Sequence, residues 1–338
     1  MSSTRREFIA GSLAYSIASL VPGSLMGPFS AHSRSEFDAD STAEEVTLGL
    51  DLTGKTILVT GANSGLGYET ARVLALRGAH VLAAARNTEK AANAAQSIAG
   101  TVTPVVCELT EFESVVDCAR SVGQIGKPLD VLICNAGIMG TSELQTVYGL
   151  EKQFVVNYLG HFLLTQRLLP QIEAAPQGRL VLVSSGLYTK APDTGIEFDN
   201  LSGKKSYDLF AAYGQSKLAM ALFATEFARR FPESRVTANA LYPGVISTNL
   251  FRQQPWYVKL GFKVGGWAFM KSVEEGAATQ CYVATHPSLA NVSGRFFADC
   301  KPIVPEGPHL SDRELAGRLW DVSVGLVKDH LRKENKEK

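Results

Sequence analysis

Short apolar runs rich in β-branched residues recur along the chain, each followed by a longer stretch whose apolar positions return every three or four residues. The first run, Thr56-Ile57-Leu58-Val59, reads as a strand buried on both faces. Tyr68 to Leu76 then reads as a helix that Gly78 ends. The same pattern places strands over 56–60, 80–85, 102–107, 129–134, 179–184, 235–241 and 294–298. Helices are expected near 66–77, 88–99, 111–122, 147–173, 207–231 and 273–285. This alternation predicts an α/β fold: one doubly wound domain, with a parallel sheet of about seven strands, helices on both faces and right-handed crossovers. Ligands of such sheets bind beyond the carboxyl ends of the strands.

The N-terminal region breaks the pattern. Arg5-Arg6 stands ahead of a mildly apolar stretch to Met26, which Gly11, Pro22 and several serines make a poor membrane-spanning helix. An arginine pair before a weakly hydrophobic region is the pattern of a twin-arginine export signal, with Ala31-His32-Ser33 as the cleavage region. Residues 1–33 are therefore expected to direct the protein to the periplasm or cell envelope. A cytoplasmic or membrane-associated protein with an N-terminal extension is the alternative. Residues 34–50, polar and acidic, are expected as a linker, 51–330 as the domain and 331–338 as a charged tail.

Composition narrows the function classes. The 33 basic residues are balanced by 33 acidic ones, which argues against nucleic-acid binding. The five cysteines (Cys107, Cys118, Cys134, Cys281, Cys300) form no C-x-x-C pair, and the six histidines show no ligand spacing, so neither a disulfide framework nor a metal site is expected.

Two motifs carry chemistry. Thr60-Gly61-Ala62-Asn63-Ser64-Gly65-Leu66-Gly67 lies between the first strand and the first helix. Glycines there let the backbone approach a pyrophosphate closely, and the helix N-terminus offers unpaired N–H groups. Its spacing is G-x-x-x-G-x-G. Far downstream, Tyr213 and Lys217 are four residues apart, on one face of a helix. An ammonium there favours ionisation of a phenol whose unperturbed pKa is about 10.

Four more pieces follow strands or lie on a helix: Cys134-Asn135-Ala136-Gly137, Asn157 within Val156-Asn157-Tyr158-Leu159-Gly160-His161, Ser184-Ser185, and Tyr242-Pro243-Gly244-Val245-Ile246-Ser247-Thr248. In this order, with the two motifs above, they resemble the short-chain dehydrogenase/reductase family over residues 53 to about 327, which implies a Rossmann-type domain. The resemblance implies Tyr213 as proton donor or acceptor, Lys217 as its electrostatic partner and ribose ligand, Ser185 bonding the substrate oxygen, and Asn157 holding a water in a proton relay. It also implies a cofactor site of Gly61, Asn63, Ser64, Gly65, Leu66 and Gly67 at the pyrophosphate, and Asn135, Ala136 and Gly137 at the adenosine ribose. Glu108 and Leu109 would stand near adenine, where the family usually has aspartate for Glu108. Pro243, Gly244, Val245 and Thr248 would stand at the carboxamide. The phenol, depressed by the ammonium and the oxidised nicotinamide, would be matched to neutral pH.

The second strand ends in Ala85-Arg86-Asn87 with no acidic residue to accept a ribose 2′-hydroxyl. Arg86 suits a 2′-phosphate, so NADP(H) is expected ahead of NAD. Val156 through Thr165, Ala212 through Ala219 and Gly294 through Lys301 are similar to retinol dehydrogenases, the WW-domain-containing oxidoreductase and, more distantly, protochlorophyllide reductase. Those relatives, and the aromatic segment Leu250 to Met270, imply a hydrophobic carbonyl or alcohol substrate. Membrane-surface association and a homodimer or homotetramer are further expectations. Two other readings stay open: a light-dependent tetrapyrrole reductase, and a non-catalytic nucleotide-binding regulatory protein.

Overall fold

The computed structural model describes residues 35–140, 142–246 and 270–331. The twin-arginine segment, Thr248, the aromatic stretch from Leu250 to Phe269 and the tail beyond Leu331 lie outside the described residues.

Eight strands form one sheet: β1 (Thr56–Thr60), β2 (His80–Ala85), β3 (Val102–Val106), β4 (Val131–Cys134), β7 (Arg179–Val183), β8 (Thr237–Tyr242), β9 (Phe296–Ala298) and β10 (Lys301–Ile303). Their spatial order is β10-β9-β8-β7-β4-β1-β2-β3. All neighbours are parallel except β9 and β10, which close the edge as an antiparallel pair. The sheet thus has one strand more than the sequence pattern predicts. β10 escapes that pattern because its three residues are all exposed and include Pro302, tolerable only at an edge.

The strands read as continuous apolar runs because each face meets a core of its own. Leu58, Leu82, Leu132, Leu180 and Ala238 point into one core with α4 (Phe112–Gln124), α5 (Gly160–Glu173), α6 (Leu209–Arg230) and α8 (Arg313–Leu331). Ile57, Val59, Val81, Ile133 and Val181 point into the other, with α2 (Gly65–Leu76) and α7 (Val273–Thr285). Alternate residues leave opposite faces of a strand, so both must be apolar.

Three elements depart from expectation. Residues 146–151 form a hairpin, β5 (Thr146–Val147) and β6 (Leu150–Glu151), at the point where the sequence pattern begins the long helix of 147–173. Tyr148 (φ 53°) and Gly149 (φ 75°) make its turn with both central residues left-handed, the combination a two-residue hairpin needs. The helix then starts with a π segment, Phe154–Leu159, in which the Gly160 N–H reaches back five residues to the Val155 carbonyl. Finally, within the stretch expected as a linker, α1 (Ala43–Val46) is a capped turn. Thr42 and Glu45 bond each other's backbone N–H, Ala43 and Val46 are buried, and Phe37 packs edge-on against Tyr282. The remaining helix, α3 (Thr88–Ser97), is capped by Asn87.

Candidate active site

β1 and β4 are neighbours, yet β1 is followed by strands toward one edge and β4 by strands toward the other. Such a switch point opens a crevice at the carboxyl ends, and two turns meet there. The Thr60 hydroxyl accepts N–H bonds from Asn135 at 2.9 Å and Ala136 at 3.0 Å, and the Thr60 carbonyl accepts one from Asn135 Nδ2 at 2.8 Å. Gly61 has φ 69°, and a Cβ on it would stand 3.1 Å from Ala136 Cα. A Cβ on Gly67 would overlap the Asn135 side chain and the Gly61 carbonyl. Ser64 precedes α2 without making a side-chain cap, so first-turn N–H groups remain available to an anion. Asn63 and Ser64 complete this turn, while Leu66 packs into the core and buttresses it. A cradle with no room for side chains and a set of backbone donors fits a dinucleotide pyrophosphate.

The other predicted residues surround the same crevice. Asn157 is fully buried on the π segment. Its Oδ1 accepts the Ile138 N–H at 2.8 Å, and its Nδ2 donates to the Ile138 carbonyl and to Ser216 Oγ, both at 2.9 Å. Ser216 Oγ in turn donates to the Tyr213 carbonyl at 2.7 Å. Ser184, directly after β7, donates to the Lys217 carbonyl at 2.7 Å, which ties that strand to α6. Lys217 Nζ donates to the Val183 carbonyl at 3.0 Å and lies 5.8 Å from the Tyr213 ring centroid. A Cβ on Gly137 would stand 3.3 Å from both Lys217 Nζ and Asn157 Oδ1, so this glycine gives the two polar groups their room. Ser185 caps the turn Gly186–Lys190, accepting the Leu187 N–H at 3.2 Å.

The protein's own groups do not depress Tyr213: burial pushes its phenol up to about 12, with the Ser185 hydroxyl pulling the other way. Burial also brings Lys217 down to about 8. The ammonium leans on a backbone carbonyl, and burial is the largest influence on the phenol. A phenol that keeps its proton at neutral pH is a donor to a nearby oxygen.

The cofactor residues predicted at the rim are more mixed. Arg86 is exposed at the end of β2 and makes no ion pair among the described residues. Glu108 Oε1 accepts the Thr110 N–H at 3.0 Å and the Thr110 hydroxyl at 2.8 Å, so its carboxylate is engaged locally. Leu109 is buried, its carbonyl and side chain packed where a Cβ on Gly160 would stand. Gly244 has φ 99° and lies against the Lys271 stem; Pro243 is buried beside it, and the Val245 carbonyl accepts the Lys271 N–H at 2.9 Å.

Sequence reasoning missed the internal ties. Thr60 and Ser216 are visible in the sequence only as motif neighbours, and Gly214 carries no signal there of its own. A Cβ on Gly214 would stand 2.5 Å from Ala191 N and 2.8 Å from the Leu187 carbonyl, so this glycine lets α6 press Tyr213 against the Ser185 turn. Gly214→Ala overpacks that contact and is expected to cost about 1–3 kcal/mol. A thermal melt tests this; an unchanged Tm would show that the contact has slack.

His161 is fully buried. Burial lowers it from 6.5 to about 4, opposed by its bond to the Asn157 carbonyl and reinforced by Lys217. Between those values the unfolded chain takes a proton that the folded one refuses. Stability therefore falls as pH drops from 6.5 to 4, by up to about 3 kcal/mol from this group. Urea midpoints at pH 7 and 4.5 should differ less in His161→Gln than in wild type; parallel losses would remove His161 as the source.

A doubly wound sheet with a glycine cradle at its switch point and a buried tyrosine, lysine, serine and asparagine beside it defines a dinucleotide-binding oxidoreductase architecture. The short chain dehydrogenase family model matches residues 55–256. Retinol dehydrogenase 14 of Homo sapiens is 41% identical over 300 residues, 81% of this chain and 88% of its own length. The chloroplastic short-chain dehydrogenase TIC 32 A of Brassica napus is 39% identical over 307 residues, 87% of this chain and 95% of its own. A crystal structure of a putative uncharacterized protein from Mycobacterium Paratuberculosis superposes with a TM-score of 0.67 at 33% identity, covering 84% of this chain and 97% of the other. The chain belongs to the short-chain dehydrogenase family, whose members are oxidoreductases that bind nicotinamide cofactors.

Proposed function

We propose that the protein is an NADP(H)-dependent oxidoreductase acting between the carbonyl and alcohol forms of a hydrophobic substrate. The observation that carries this reading is the convergence of Tyr213, Ser185, Lys217 and Asn157 beside the glycine cradle. The nicotinamide, when bound, supplies or accepts the hydride. Ser185 accepts the Leu187 N–H, which leaves its own proton to hold the substrate oxygen beside the Tyr213 phenol. Tyr213 donates its proton to that oxygen in reduction and removes it in oxidation. Lys217 would bind the nicotinamide ribose, and a water held at Asn157 would pass a solvent proton through Lys217 to the phenol. Arg86 holds the 2′-phosphate.

The apolar reading of the substrate rests on Met139, Leu209 and Leu187, which form a small cluster around the Tyr213 ring. An apolar wall at the reacting group favours an apolar carbonyl. A panel of aldehydes, ketones and sugars, followed by NADPH absorbance, tests it. Long-chain aldehydes should lead the panel; turnover confined to small polar sugars would overturn the substrate class and leave the hydride chemistry standing.

A further inference from the structure

One buried side chain touches both halves of the site without belonging to either. His161 lies one helical turn beyond Asn157. Its Nδ1 is 2.9 Å from the Asn157 carbonyl oxygen, and its Nε2 is 2.9 Å from Thr60 Oγ1. Thr60 Oγ1 is the atom that receives the N–H groups of Asn135 and Ala136.

The proton positions follow from counting. A carbonyl oxygen can only accept, so Nδ1 carries the hydrogen; a neutral ring then offers a lone pair at Nε2. Burial, which holds the imidazole near pKa 4, keeps it neutral at physiological pH. The Thr60 hydroxyl then donates to Nε2 at 2.9 Å in preference to its other acceptor, the Ile133 carbonyl at 3.3 Å, and its two lone pairs are the ones the two backbone N–H groups occupy. With the shorter of those two bonds made, each donor and acceptor from the Asn157 carbonyl to the Asn135–Ala136 turn is satisfied. The opposite tautomer would set an N–H against a hydroxyl already receiving two N–H groups and a bare nitrogen against a carbonyl, deep in the protein where such mismatches are costly.

We infer that His161 is a positioning residue: Nδ1–H fixes the Asn157 carbonyl on the helix that serves the proton relay, while Nε2, acting through Thr60, fixes the turn that flanks the dinucleotide. A histidine that only filled space would need neither bond. The relay half of this inference rests on the hydride-transfer reading above; the dinucleotide half does not.

Two substitutions separate the halves. In His161→Asn the amide nitrogen stands where Nδ1 stood, so it can still donate to Asn157 but falls short of Thr60. In His161→Gln the amide oxygen reaches the place of Nε2 and accepts from Thr60, but the Asn157 bond is lost. With NADPH as the probe, His161→Asn should weaken Kd about tenfold and keep kcat at saturating nucleotide within about threefold. His161→Gln should show the converse, Kd within about threefold and kcat down about tenfold. Equal proportional losses of both quantities in both variants, or no loss in either, would overturn the inference. Long-range ¹⁵N–¹H spectra of the wild-type protein decide the question even if the variants fold poorly. A neutral Nδ1–H tautomer at His161 is expected; an Nε2–H tautomer would overturn it. Should no substrate turn over, Kd and the tautomer still decide the dinucleotide half, which keeps its failure distinct from that of the oxidoreductase reading.

Discussion

Tyr213→Phe should lower kcat by about 10³-fold while the NADPH Kd stays within about twofold. The substitution removes one oxygen from a ring that is 3% exposed and keeps the ring's packing against Met139, Leu209 and Leu187. The Lys217 bond to the Val183 carbonyl does not depend on the phenol, so the ribose side of the site is undisturbed. What disappears is the donor that Ser185 steers. General acid–base groups contribute about 10²–10⁴-fold. Single-turnover reduction with NADPH, together with nucleotide titration, measures both quantities. A variant that retains wild-type turnover would remove Tyr213 from the chemistry; one that also loses the nucleotide would recast it as a structural residue.

Arg86→Asp should reverse the proposed preference for NADPH over NADH. The guanidinium lies exposed at the end of β2 with no ion pair among the described residues, so it is available to a phosphate in a bidentate fork. Losing that fork and placing a carboxylate against the 2′-phosphate should cost NADPH about 10–100-fold in kcat/KM. The same carboxylate can accept a ribose 2′-hydroxyl and so help NADH. Because the position is solvated, the NADPH advantage proposed for the wild type should shrink as ionic strength rises. If the NADPH-to-NADH ratio is the same in variant and wild type, the 2′-phosphate is read elsewhere.

The long strands are legible in the sequence because both faces of the sheet are buried, so nearly every strand residue has to be apolar. Their alternation with helices is enough to indicate the parallel sheet and the crevice where the predicted residues meet. Legibility fails where the signal is short or lies outside the sequence. The 146–151 hairpin has two-residue strands, and its only cue is the Tyr148-Gly149 turn. Helix α8 is absent from the predicted elements although Ala316, Leu319, Trp320, Ser323 and Val327 mark its buried stripe. For Tyr213 the spacing to Lys217 gives proximity but not the burial that raises the phenol. Desolvation is a property of everything packed around the ring, and no four-residue motif displays it. Asn157 and His161 stand at the same four-residue spacing as Tyr213 and Lys217, so the pattern alone holds a cue to the tie between them.

The acidic N-terminal stretch has a practical consequence for anyone shortening this chain. Its polarity invites a cut near residue 45, but Phe37 and Ala43 sit in the same apolar layer as Tyr282 and Cys281. A shortened protein starting at 35 keeps that strap, whereas one starting at 48 leaves an oily scar on α7 and should precipitate more readily on storage.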